Sequence, residues 1–108
     1  MTEFVVVLVT APDEAVAAEI ARALVEERLA ACVNILSGMR SIYRWQGNVE
    51  DEREALMLIK THRERFAELQ SRVKALHPYS VPEVIALPIV AGSPDYLAWL
   101  AEGAKGGL

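Results

Sequence analysis

The sequence predicts an α+β fold in which two long helices cover one face of a four-stranded antiparallel sheet. Three observations carry this. Four segments read as extended chain: Glu3–Thr10, Cys32–Trp45, Val49–Thr61 and Glu83–Val90. Segments with apolar residues at helical spacing separate the first from the second and the third from the fourth. The 108 residues suffice for a single domain over 1–108 and are too few for two.

The elements follow in order. Glu3–Thr10 is β-branched and apolar on both faces, as a central strand covered on both sides would be. Pro12 is expected to open a helix, with Asp13 and Glu14 in its first turn, where carboxylates suit the macrodipole. Val16, Ile20, Ala23 and Leu24 fall on one stripe, and the helix runs to about Leu29. Cys32–Trp45 and Val49–Thr61 flank a Gly47-Asn48 turn signal and read as one long hairpin. Thr61-His62-Arg63-Glu64 has the pattern of a capping box, which places a helix start there. Phe66, Leu69, Val73 and Leu76 then recur at helical spacing, and His77-Pro78 ends the helix. Glu83–Val90 contains Pro88, which removes a ladder donor and so predicts an edge strand or a bulge. Ser93 and Pro94 cap a short last helix carrying Tyr96, Leu97, Trp99 and Leu100, and Gly103–Leu108 is expected to fray. The order β-α-β-β-α-β plus a terminal helix is the split β-α-β, ferredoxin-like pattern, with both long helices on one face.

Length makes the hairpin informative. Its strands, at roughly 14 residues each, extend about 46 Å. The first helix spans only about 26 Å. The hairpin therefore overhangs the helical layer and carries Ile42, Tyr43 and Trp45 out with it. An isolated two-stranded ribbon is marginal in water, so docking on neighbouring subunits is expected. The alternative is a hairpin bent back onto its own core by a bulge at Ser37-Gly38.

Composition excludes several classes. Hydrophobic residues make up 53% and charged residues 24%, a globular balance, and the net charge is −4. An acidic chain without a basic stripe argues against nucleic acid and anionic membranes as partners. The run Glu50-Asp51-Glu52-Arg53-Glu54 reads as a solvated strand edge. Cys32 is the one cysteine, which suits a reducing compartment. Met1-Thr2-Glu3-Phe4 lacks the basic region of a signal peptide, and the apolar run Phe4–Val9 is too short to span a bilayer. A cytoplasmic location is expected.

Several motifs resemble those of the CutA divalent-cation tolerance family. They are Val9-Thr10-Ala11-Pro12-Asp13-Glu14, Leu29-Ala30-Ala31-Cys32-Val33-Asn34 and Ser41-Ile42-Tyr43-Arg44-Trp45-Gln46-Gly47. Glu54 with Leu58-Ile59-Lys60-Thr61, the loop His77-Pro78-Tyr79-Ser80-Val81-Pro82-Glu83, and Tyr96-Leu97-Ala98-Trp99 complete the set. The resemblance implies a ferredoxin-like fold, a homotrimer similar in architecture to the PII signalling proteins, a cytoplasmic location, no catalysis, and a link to copper and other divalent metal ions. In some members the assigned metal ligands are a cysteine before Thr-Ala-Pro-Asp and two histidines before Pro-Tyr. Here those positions hold Val9, Leu76 and His77, so only His77 is retained.

The residues themselves bear on chemistry. Imidazole suits copper(II) and thiolate suits copper(I). His62 and His77 stand at opposite ends of one helix, about 22 Å apart, and cannot share an ion within a subunit. Cys32 reads as a small buried apolar residue. The metal hypothesis is a weakly bound Cu2+, or another divalent cation, on the surface at His77 with Glu83. The competing reading of His77 is a helix-terminal cap. Tyr43, Trp45, Glu54, Lys60, Tyr79 and Trp99 form a candidate inter-subunit cleft for a small metabolite, as in a PII-like sensor. The same aromatics could serve only as interface anchors. No organic cofactor is implied. An acylphosphatase-like enzyme, the natural catalytic alternative on this fold, would need a phosphate cradle, and Asp13 and Glu14 would repel phosphate there.

Overall fold

The computed structural model describes residues 1–105. The elements are β1 (Phe4–Ala11), α1 (Glu14–Glu26), β2 (Cys32–Trp45), β3 (Asn48–His62), α2 (Phe66–Leu76), β4 (Val84–Pro88) and α3 (Pro94–Gly103). The strands form one antiparallel sheet in the order β2-β3-β1-β4, the ferredoxin-like arrangement. Among the described residues no helix is long and apolar enough to cross a membrane.

Register assigns the two faces. Val5, Val7, Val9 and Ala11 pair with Thr61, Ile59, Met57 and Ala55, and all eight are buried. They meet Ile20 and Leu24 of α1 and Leu69 and Val73 of α2 in the main core. The alternate residues make the opposite face. There α3 covers only one end, packing Leu100 and Ala104 against Phe4 and Ala31. Along the rest, Leu36, Ile85 and Leu87 remain 53%, 49% and 49% exposed.

The long hairpin is present, and the molecule measures 44 × 27 × 21 Å. Its turn differs from expectation. Trp45 pairs with Asn48, so Gln46-Gly47 is the two-residue loop, with φ of 49° and 82°. Positive φ at both central positions suits the right-handed twist of the flanking strands. A bulge does lie at Ser37-Gly38, where the register shifts between Leu36 and Met39 and Gly38 takes φ 75°. Beyond it Tyr43 and Trp45 stay exposed.

Several boundaries are corrected. Pro12 precedes α1; the cap is Asp13, whose carboxylate accepts from the Val16 amide at 2.9 Å. The helix ends at Glu26, and Arg28 turns the chain at φ 60°. Thr61 is no cap. It is a fully buried strand residue whose hydroxyl donates to the Leu29 carbonyl at 2.7 Å. His62 does the capping of a single 3-10 turn, Arg63–Arg65, with Nδ1 accepting from the Glu64 amide. β4 is at the sheet edge as Pro88 suggests, and ends at that residue. Ser93 stands at the N-cap of α3 without a capping side-chain bond. The expected fraying fails at Gly103 and Ala104, since Ala104 is buried and Gly103 lies against Ala31. Gly106–Leu108 lie outside the described residues.

Candidate functional site

The bulge decides which side chains reach the uncovered face. Before it, Cys32, Asn34 and Leu36 lie opposite Lys60, Leu58 and Leu56. After it, Met39, Ser41, Tyr43 and Trp45 lie opposite Glu54, Glu52, Glu50 and Asn48. One inserted residue flips a strand's alternation. Without it Ile42 and Arg44 would occupy the places of Tyr43 and Trp45.

The result is a cleft of about 760 Å³ between the hairpin and the loop after α2. Thr10, Met39 and Leu56 form its floor, Tyr43 and Trp45 one wall, and Tyr79, Ser80, Val81 and Glu83 the other. Glu50, Glu52 and Glu54 also line it, and no lysine or arginine does. The Tyr43 hydroxyl donates to Glu52 Oε1 at 2.8 Å. That bond, then burial and the charges of Glu52, Glu54 and Glu50, push the phenol up to about 12. The Tyr79 hydroxyl donates to Glu54 Oε2 at 2.7 Å. Burial first, and then this bond, raises the Tyr79 phenol well above its ordinary value.

His77 holds the Tyr79 wall in place. Its Nε2 is 2.7 Å from the Thr10 carbonyl, and its Nδ1 accepts from the Tyr79 amide at 3.1 Å. A carbonyl can only accept, so Nε2 carries the proton and Nδ1 does not. The residue is 8% exposed and does not line the cleft. The expected surface position of His77 is thus corrected: both nitrogens are committed inside the protein. Its backbone amide does satisfy the end of α2, donating to the Val73 carbonyl at 2.8 Å. Glu83 is exposed and faces the cleft.

The structure brings together four of the six expected cleft residues, Tyr43, Trp45, Glu54 and Tyr79. Within one subunit it separates the other two. Lys60 pairs with Cys32 and Val6 at the far end of the sheet, and its ammonium donates to Asn34 Oδ1. Trp99 lies on α3, exposed, with its ring stacked 5.7 Å from Tyr96. Cys32 is half-buried rather than buried. Glu50 and Glu52, expected only at a solvated edge, belong to the cleft. Their spacing of two on a strand, continued by Glu54, was the available signal.

The donor set bears on metal. Among the described residues no three His, Cys, Asp or Glu side chains converge closely enough to hold an ion. The carboxylates of the cleft are hard oxygen donors that suit a divalent cation retaining much of its water. The N-terminus of α1, where a phosphate cradle would have to lie, is occupied by the carboxylate of Asp13.

Comparison with known proteins agrees with the fold. The family model described as "CutA1 divalent ion tolerance protein" matches residues 5–103. A divalent-cation tolerance protein CutA of Thermus thermophilus is 62% identical over 97 residues, covering 90% of this chain and 94% of its own. Protein CutA of Mus musculus is 53% identical over 92 residues, and there the match covers 85% of this chain but only 52% of the relative. The crystal structure of CutA from Xylella fastidiosa superposes with a TM-score of 0.93 at 42% identity, covering 96% of this chain and 100% of that one. The chain belongs to the CutA1 divalent ion tolerance protein family.

Proposed function

We propose that this chain is a non-enzymatic subunit of a cytoplasmic homotrimer serving divalent-cation tolerance, and that it holds a divalent cation weakly in the cleft. The observation that carries the metal reading is the charge of the lining: Glu50, Glu52, Glu54 and Glu83 with no lysine or arginine among them, a field that would draw in a hydrated cation although no three of these carboxylates converge to ligate it. Two points support the trimer. The sheet face opposite the long helices leaves Leu36, Ile85 and Leu87 about half exposed, and a monomer rarely leaves such a face bare. The hairpin also carries Tyr43 and Trp45 beyond the helical layer. An unpaired Cys32 is consistent with the cytoplasm.

The ion would meet mainly carboxylate oxygen and water, which makes for weak binding. Cu2+ prefers imidazole, and the His77 ring is committed to Thr10 and Tyr79. His77 therefore acts as a positioning residue for the Tyr79 wall. A second reading rests on the aromatic walls and the volume: a small cationic metabolite would fit a space of this size, since ligand sites run from roughly 300 to 1,000 Å³.

Calorimetric titration with copper(II) and with magnesium tests the metal reading. Glu50→Gln/Glu83→Gln should weaken binding by about tenfold or more, because the affinity of oxygen sites follows ligand charge. Isotherms equal to wild type would overturn the cleft site. A larger loss in His77→Ala than in the double variant would move the site to imidazole.

A further inference from the structure

The bulge sets two unlike rows side by side along the cleft. On β3 the row is Glu50, Glu52 and Glu54; on β2 Tyr43, Ser41 and Met39 lie opposite them in that order. Residues two apart on a strand stand about 6.7 Å apart, at roughly 3.3–3.4 Å per residue. An evenly spaced acidic row therefore runs beside an apolar and aromatic one. None of the three carboxylates takes part in an ion pair among the described residues. Glu54 sets this row apart from a solvated edge. It lines the cleft and is only 9% exposed, and its side-chain partner is the Tyr79 hydroxyl on Oε2. A carboxylate taken out of water is ordinarily matched by a cation and by several hydrogen bonds. Among the described residues Oε1 of Glu54 has no hydrogen-bond partner, and it is not sealed away from solvent. Its free acceptor is open to a ligand in the cleft.

A ligand that matches both rows carries positive charges at strand spacing, joined by apolar chain. Two ammonium groups linked by four methylenes stand about 6 Å apart when extended, by ordinary bond lengths. That is close to the spacing of the carboxylates. Ammonium is also drawn to the faces of Trp and Tyr, and methylenes pack on the same rings. We infer that the cleft binds a linear aliphatic polyamine laid along β3. One ammonium group meets Glu54, the next meets Glu52, and a third reaches Glu50. The methylene runs lie over Met39, Tyr43 and Trp45. The phenols of Tyr43 and Tyr79 already donate to Glu52 and Glu54 and fix the two acceptors before the ligand arrives. A carboxylate has about four acceptor positions, so each keeps room for an ammonium donor. This rests on the reading of the cleft as a site for a small cationic metabolite, and it names the class. A compact ion meets the row less well, since no three of the carboxylates converge.

Calorimetric titration of the full chain at fixed ionic strength tests this, with spermidine, putrescine, butylamine and magnesium as probes. Putrescine should bind about tenfold or more tightly than butylamine, the scale of one added charge-assisted hydrogen bond, and spermidine more tightly still. Putrescine should also bind more tightly than magnesium, which carries the same charge on one centre. Glu52→Gln/Glu54→Gln should bring putrescine down to butylamine. Glu50→Gln/Glu52→Gln, which leaves the buried Glu54 in place, should cost spermidine about tenfold or more by the same count of contacts. Glu19→Gln makes the same change of charge at an exposed position on α1 and should leave every probe unchanged. Magnesium or butylamine binding as tightly as putrescine would overturn the polyamine and leave a cation cleft. Equal losses in Glu19→Gln and the cleft variants would overturn it too, since net charge alone would then be at work. A chain that binds neither amines nor magnesium removes the cation reading of the cleft itself.

Discussion

Tyr43 reports the field of the cleft through one phenol. Its bond to Glu52 favours the neutral form, so its folded value of about 12 lies above the ordinary 10.0. The sign follows by linkage: the contribution is complete below the ordinary value and is lost as pH rises through the folded one. In an ultraviolet titration, Tyr43→Phe should remove a late-titrating phenol, and Glu52→Gln should bring that phenol back toward 10.0. A Tyr43 signal that titrates at the ordinary value in wild type would show that Glu52 is not its partner. His77 marks the limit of sequence at this scale. A histidine before Pro-Tyr looks available for metal or for a helix end. Its actual partner, the Thr10 carbonyl, lies 67 positions away on another element. No local pattern encodes that distance. Thr61 misleads in the same way, since its hydroxyl answers to Leu29 rather than to the helix that follows.

At the scale of elements, the strands and helices were legible because each buries one periodic face in a single core. Ends were less legible, because caps depend on which side chain wins a backbone group. Asp13 took the start of α1 that Pro12 suggested, and a strand ran through Thr61 and His62 where a capping pattern stood. Half of the cleft could be read from alternation. The turn of Tyr43 and Trp45 into the cleft rests on the bulge at Ser37-Gly38, which the sequence offers only as the alternative to an unbent hairpin, because one glycine in an extended run does not state the phase of the strand beyond it. The stretch from Gly103 is expected to fray as chain ends do. In fact a Cβ at Gly103 would come within 2.8 Å of Ala31 Cβ and 3.1 Å of its Cα. Gly103→Ala should therefore destabilise by about 1–3 kcal/mol through overpacking. Urea denaturation measures this, and an unchanged midpoint would mean that α3 can shift away at no cost.

At the scale of the molecule, one feature of the chain outweighs the rest. A hairpin of 14- and 15-residue strands projects from a body whose helices are 13 and 11 residues long. The overhang was legible from length, and the bare sheet face follows from both long helices lying on the other side of the sheet. What the overhang builds was not legible, because surfaces on separate copies meet only in an assembly. The sheet face opposite the long helices, where Leu36, Ile85 and Leu87 are exposed, is the surface that a ring of subunits would cover. Family membership makes divalent-cation tolerance the role such a ring would serve. Native mass spectrometry of the chain with and without copper(II) tests this most directly, since it reads stoichiometry and metal content in one spectrum. The account predicts a dominant trimer that gains copper with increasing concentration and loses it on mild desalting. A dominant monomer at micromolar concentration, with or without copper(II), would contradict it.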